Sequence, residues 1–241
     1  MRSIYVIDVL DAPGYSFPER FQRFLDFEKL KLDWVLVDGV RESHLLPGLL
    51  EQNPAGIVIS GSVRGVYDDL PWLTALEDLI RRAHERSVPL LGICFGHQLL
   101  ARAMGGKAEK GAGWEFGVHP VYLYPEAAHP CLEGFTSGTL TVQTHQDYVV
   151  ELPPGAKALG FSRQSAYQIF SLGSCLGIQF HPEYTHQDLQ LLAGQRVQRF
   201  LDARAFQTGE HVLAYAAALP PADASRIVMR NFLMAPERLC G

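Results

Sequence analysis

The chain has 241 residues, 47% hydrophobic and 20% charged, a globular balance with enough apolar side chain for a substantial core, which excludes a disordered or fibrous chain. The formal net charge is −5 and the 21 Lys and Arg are scattered, so no basic patch marks the chain for nucleic acid or an anionic membrane surface. No run approaches the roughly eighteen apolar residues of a membrane span, and Asp8 interrupts the first apolar run, unlike a signal peptide; a cytoplasmic protein is expected.

In chain order, residues 4–9, 32–37, 56–60 and 88–93 read as short apolar strands, and 18–28, 71–86 and 97–104 as the helices between them. Strands apolar on both faces and alternating with helices predict a doubly wound α/β fold, a mostly parallel sheet covered on both sides. After Gly105-Gly106 the pattern changes to strand-like pieces at 118–124, 140–144, 157–162, 167–172 and 175–180, an additional, smaller antiparallel portion. A helix over 187–205 follows, with Leu189, Leu192, Val197 and Phe200 as its buried stripe, and then a terminal helix around 227–233. No repeat, linker or low-complexity tract divides the chain, so one catalytic domain over residues 1–241 is expected.

Cys94, Cys131, Cys175 and Cys240 are far apart and form no C-x-x-C pair, which argues against a zinc knuckle or a disulfide framework. The histidines lack the spacing of a ligand set, and no P-loop signature is present, so neither a metal nor another cofactor is expected. One cysteine stands apart. Gly92-Ile93-Cys94-Phe95-Gly96 joins an apolar run to a helical stretch, the layout of a nucleophile on a strand-to-helix elbow. A sharp reversal at Cys94 leaves no room for β-carbons at the flanking positions, which accounts for both glycines. At the first turn of a helix the sulfur meets the positive end of the dipole, which favours the thiolate, the attacking species.

His181-Pro182-Glu183 follows a second apolar run and therefore falls at a strand end, where open α/β sheets place their sites. Residues i and i+2 of an extended segment project to the same side, so Glu183 can hold the His181 ring toward Cys94. The three supply a nucleophile, a base and an orienting carboxylate. By itself, the tripeptide also fits a strand-end histidine beside a surface charge.

These residues, with His97-Gln98 after the elbow and Thr144-His145-Gln146-Asp147 in the β-rich half, resemble the class I, triad-type glutamine amidotransferases. The resemblance implies a flavodoxin-like fold and a small-molecule substrate. Cys94 would attack the γ-carbonyl of glutamine or another γ-glutamyl compound, His181 would move protons, and water would release glutamate from a γ-glutamyl thioester. It also implies that Gln98, Thr144, His145 and Gln146 hold the glutamyl end; a helix-surface amide and a buried, backbone-bonded histidine are the alternatives for Gln98 and His145. The oxyanion hole would take its donors from Phe95 and from Ser62 in Ser60-Gly61-Ser62-Val63. Many family members have Ser-Gly-Gly-Pro there, so a Ser62 donor requires dihedrals that suit an L-residue.

The segments Tyr67-Asp68-Asp69-Leu70-Pro71-Trp72, Gly113-Trp114-Glu115-Phe116-Gly117 and His181-Pro182-Glu183-Tyr184-Thr185 are similar to the stand-alone branch that includes γ-glutamyl peptidases and resembles the amidotransferase domain of GMP synthetase. Asp68, Asp69 and Trp72 either border the pocket or cap and pack a helix. Three functions stay open: an amidohydrolase of γ-glutamyl compounds, a glutaminase subunit feeding a separate synthase, and a non-catalytic metabolite-binding module.

Overall fold

The computed structural model describes residues 2–12 and 16–239. Its centre is a nine-stranded sheet in the order β2-β1-β3-β4-β9-β8-β7-β5-β6. Strands β1 (Ile4–Asp8), β2 (Trp34–Asp38), β3 (Gly56–Ile59), β4 (Leu90–Ile93) and β9 (Cys175–Ile178) pair in parallel. Beyond β9, the strands β8 (Ile169–Leu172), β7 (Lys157–Phe161), β5 (Lys107–Leu123) and β6 (Thr139–Glu151) continue it antiparallel. The antiparallel portion is thus an extension of the parallel one.

Strand residues alternate between two cores, as the period of two requires. Val6, Val58, Leu91, Ile93, Leu176 and Ile178 pack toward helices α1 (Phe17–Phe27) and α7 (Ile227–Met234). Ile7, Ile57, Ile59 and Leu90 face α2 (Leu73–Glu85) and α3 (Phe95–Ala103) on the other side. Complete burial of β3, β4 and β9 on both faces explains why they read as unbroken apolar runs, whereas β2 at the sheet edge exposes Val35 and Leu36 despite its apolar sequence.

Three elements differ from their sequence patterns. Strands β5 and β6 run far beyond 118–124 and 140–144, because pairing along a two-stranded ribbon overrides the weak strand propensity of Gly111, Gly113, Gly117 and the flanking charges. The register shifts between Lys110, opposite Asp147, and Glu115, opposite His145, so residues 111–114 bulge against Gln146. The helix expected over 187–205 breaks at Arg196 into α4 (His186–Gln195) and α5 (Val197–Asp202); Gly194 weakens the helix there, and the Arg196 side chain turns inward. A further helix, α6 (Gly209–Ala217), is capped by Thr208 and buries Val212 and Ala216. Together α4, α5 and α6 pack on Phe116 and Val142 of the ribbon as a third core. Among the described residues no helix is long and apolar enough to cross a membrane.

Candidate active site

Three neighbouring parallel strands, β3, β4 and β9, end together. Register pairs Ile59 with Gly92 and Ile93 with Ile178, so the segments that follow them, Gly61, Cys94 and His181, emerge at one carboxyl edge.

Cys94 is the turn residue between β4 and α3, with φ 52° and ψ −98°, a region that L-residues rarely occupy. Its amide donates to Ile178 O at 2.8 Å and its carbonyl accepts from Gln98 N at 3.1 Å. A β-carbon on Gly92 would lie 2.4 Å from Gly96 O, and one on Gly96 would lie 2.6 Å from Ile59 O. Both approaches are too close for any side chain, which is the steric origin of the flanking glycines. Beneath the turn, Trp72 is buried against the Phe95 ring, with centroids 5.8 Å apart. Of the three residues offered as a pocket border, Trp72 is therefore a packing residue and Asp69 is exposed, while Asp68 lines the cleft and accepts from Gly65 N.

His181 and Glu183 are almost wholly buried, with Nδ1 of the ring 2.7 Å from Oε1 of the carboxylate. Cys94 is close enough to the ring to act on its charge. Burial by itself would push the imidazole down, but Glu183, followed by Tyr184 and Cys94, outweighs it and holds His181 well above its ordinary value. On one face the ring stacks on Tyr184 at 4.4 Å and 8°, and Arg20 of α1 lies 5.0 Å over the same tyrosine. Arg20 is in turn held by Asp188 at 3.3 Å, the acid that closes the capping box of α4 with Thr185. The structure thus brings Cys94, His181 and Glu183 together and clamps the histidine between a carboxylate and an aromatic face.

The loop after β3 covers this pair. Ser60 anchors it, accepting from Val9 N at 2.9 Å, and a β-carbon on Gly61 would meet His181 Cε1 at 3.0 Å and Cys94 Cβ at 3.6 Å. Ser62 is half-buried, lines the cleft and is not among the residues of positive φ, so its backbone suits an L-residue. Phe95 lines the same cleft as the first residue of α3, where backbone amides lack helical partners.

The cleft has a volume of about 320 Å³. Gln98, Thr144, His145 and Gln146 all line it, with most of their polar atoms turned to internal bonds. Gln98 donates to Asp147 O at 2.9 Å and to Gln179 Oε1 at 3.1 Å, so both amide hydrogens brace the floor. Thr144 Oγ1 accepts from Arg196 Nη1 at 2.8 Å. The His145 ring bonds to Asp147 O on one side and to Gln143 Oε1 and Glu115 on the other. Burial would raise the Glu115 carboxyl, but its bonds to His145 and Ser162 bring it below the usual range. Gln146, opposite the bulge, is the least committed of the four.

The sequence reading missed Lys110, Tyr67, Arg196 and Arg199, which also line the cleft, and the role of Tyr184 beneath the histidine. Tyr67 donates to Asp147 Oδ2 at 3.1 Å, a bond between the loop after β3 and β6. Lys110, Arg196 and Arg199 sit in no pattern that marks chemistry, and Tyr67 and Tyr184 belong to segments that carry the resemblance without a role of their own there; their neighbours in space give them one.

A sheet of this order, parallel on one side and antiparallel on the other, with helices on its faces and Cys94 on the strand-to-helix turn at its carboxyl edge, defines an α/β fold. The chain belongs to the family described as glutamine amidotransferase class-I, whose match covers residues 24–193. It is 36% identical over 154 residues to γ-glutamyl peptidase 4 of Arabidopsis thaliana, covering 60% of this chain and 61% of the peptidase. It is 33% identical over 140 residues to a probable glutamine-hydrolyzing GMP synthase of Leptospira interrogans, covering 57% of this chain and 22% of the synthase. The chain thus spans less than two thirds of the length of either relative. Among solved structures, a glutamine amidotransferase of Thermotoga maritima superposes over the whole of both chains with a TM-score of 0.75 at 19% identity, a likeness of fold.

Proposed function

We propose that the protein is a thiol-dependent amidohydrolase that cleaves the γ-glutamyl amide bond through a Cys94 γ-glutamyl thioester. The observation that carries this reading is the buried 2.7 Å His181–Glu183 pair beside Cys94 on the strained elbow. A histidine held well above its ordinary value stores a proton next to the sulfur, and gives that proton to the departing amine. The γ-carbonyl carbon takes the Cys94 sulfur while its oxygen turns toward the amides of Phe95 and Ser62. Each preorganised donor contributes on the order of 3 kcal/mol to such a step. In the second half His181 takes a proton from water, which attacks the thioester and frees glutamate. Gln146 and the backbone of Thr144 and His145 hold the glutamyl end, with Gln98 bracing them from below.

The test is direct. Purified protein is incubated with glutamine, glutathione and other γ-glutamyl amides, and glutamate release and the acyl adduct on Cys94 are measured. Neither product with any of them would sink the reading. A second reading, a glutaminase that delivers ammonia to a separate synthase subunit, is favoured by the similarity to GMP synthases. It predicts low glutaminase activity in isolation and stimulation by a co-purifying synthase.

A further inference from the structure

Tyr184 follows the orienting carboxylate by one residue, and nothing in the thioester scheme uses it. Its side chain is buried, and its ring lies 4.4 Å from the His181 imidazole between centroids, with the planes 8° from parallel. A stack of this kind sets the electron-rich face of the phenol against the imidazole. Such a face attracts a cation and gives a neutral ring only ordinary stacking. Burial raises the Tyr184 hydroxyl above its ordinary value, so the histidine meets a neutral ring and not a phenolate.

The ring is held in that plane by other elements. Arg20 of α1 has its guanidinium 5.0 Å over it, and is itself tied to Asp188 Oδ1 and Ser16 O, each at 3.3 Å. Asp188 also takes Arg23 at 2.6 Å, and with Thr185, the next residue after Tyr184, it closes the capping box of α4. Tyr184 packs further into the third core, with Val142 and Leu189.

Glu183 engages the imidazole at its Nδ1 edge, Cys94 lies beside it, and Gly61 of the loop after β3 approaches Cε1. On β6, Val142 O accepts from the His181 amide at 2.9 Å. The charges acting on Tyr184 are those of His181, Glu183, Arg20 and Arg196, with Asp188 as the counter-charge of Arg20. Tyr184 therefore joins this set as a stacked face instead of a charge.

We propose that Tyr184 is a positioning residue for proton transfer, whose ring face favours the imidazolium form of His181 over the neutral imidazole. The inference rests on the amidohydrolase reading for what that proton does, and deepens it. In the first half the γ C–N bond breaks as the Cys94 S–C bond forms, and the nitrogen takes the His181 proton. In the second, water adds to the thioester carbon and gives a proton to His181, while the sulfur leaves as thiolate. The cycle ends with the ion pair restored, and the ring favours that state.

The experiment titrates His181 by NMR of carbon-labelled histidine in the full chain. A Cys94→Ala background keeps the thiol from titrating alongside, and His181→Gln assigns the signal. Three variants are compared with this parent: Tyr184→Phe, Tyr184→Leu, and phenylalanine at 184 with its ring hydrogens replaced by fluorine. Fluorination nearly keeps the shape of the ring and inverts the charge of its face, so this variant decides the matter even where Tyr184→Leu does not fold. We expect Tyr184→Phe to titrate with the parent, and the fluorinated ring and Tyr184→Leu to titrate lower by about 1 pH unit, the worth of a desolvated cation–π contact. With Cys94 present, the alkaline limb of kcat/KM moves down by the same amount. A role in packing alone lowers Tm and moves neither reading. A fluorinated ring that titrates with Tyr184→Phe overturns the proposal, as does a value that rises when the face is lost. Tyr184→Phe titrating as low as the fluorinated ring also overturns it, by giving the effect to the hydroxyl. The titration needs no substrate, so a wild-type protein that releases no glutamate from any γ-glutamyl compound defeats the hydrolase reading separately.

Discussion

Replacing Glu183 with Gln removes the charge facing His181 and keeps the shape of the side chain. The two groups are 2.7 Å apart with side-chain exposures of 4% and 1%, so water screens the pair little. Burial pushes the His181 imidazole down, and Glu183 leads the groups that overcome burial and hold it well above its ordinary value. A histidine raised in the folded state adds stability that is fully present below its unfolded value of about 6.5 and is lost as pH rises through the folded value. The wild-type advantage over Glu183→Gln is therefore greatest on the acid side of this window. Taking one partner from a buried pair costs about 3–5 kcal/mol, and proton release from His181 in the variant bounds the loss at the lower end. We expect about 3 kcal/mol near pH ~6, falling toward the ~1 kcal/mol of a neutral hydrogen bond at alkaline pH. Urea unfolding of both proteins across this range, followed by circular dichroism, measures the difference. An advantage that is flat with pH, or grows as pH rises, refutes the reasoning.

Cys94→Ser is expected to abolish glutamate release and the γ-glutamyl adduct seen by intact mass; comparable turnover would remove Cys94 from the chemistry. Burial pushes the Cys131 and Cys175 thiols up to about 12, so iodoacetamide at pH ~8 should label Cys94 and spare both, as peptide mapping will show. Labelling of either ahead of Cys94 contradicts this. Gly96→Ala sets a β-carbon 2.6 Å from Ile59 O, and we expect a loss of about 1–3 kcal/mol or more, visible as a lowered Tm. Gly61→Ala presses on the His181 ring edge at 3.0 Å and meets Cys94 Cβ at an ordinary 3.6 Å, so the fold should hold while the ring shifts. A misplacement of about 1 Å costs on the order of 100-fold, so several-fold in kcat with little change in KM is expected, and an unchanged kcat would refute it.

The elbow was legible because its requirements are local. Strand, reversal and helix lie within a few residues, and Gly92 answers a contact at Gly96 O inside the turn, whereas Gly96 answers Ile59 O on the neighbouring strand β3. His181 and Glu183 were legible for the same reason, two residues apart at the end of an apolar run. The helix over 187–205 was misread because its apolar stripe is continuous while Arg196, which breaks it, is drawn to Thr144 on a distant strand. Tyr184 read as one residue of a motif, yet its ring stacks on His181 and has the Arg20 guanidinium 5.0 Å over it.

By itself the sequence determined a thiol elbow on an α/β sheet, because steric and apolar constraints of short range write themselves into neighbouring residues. Only the tertiary structure decided what surrounds the thiol. It joined the antiparallel strands to the parallel sheet, sent Trp72 beneath the elbow and gathered Lys110, Arg196 and Arg199 at the cleft. Charged side chains on bulges and helix breaks carry no period, and pairings between residues as far apart as Gln98 and Asp147 exist only after the chain has closed on itself.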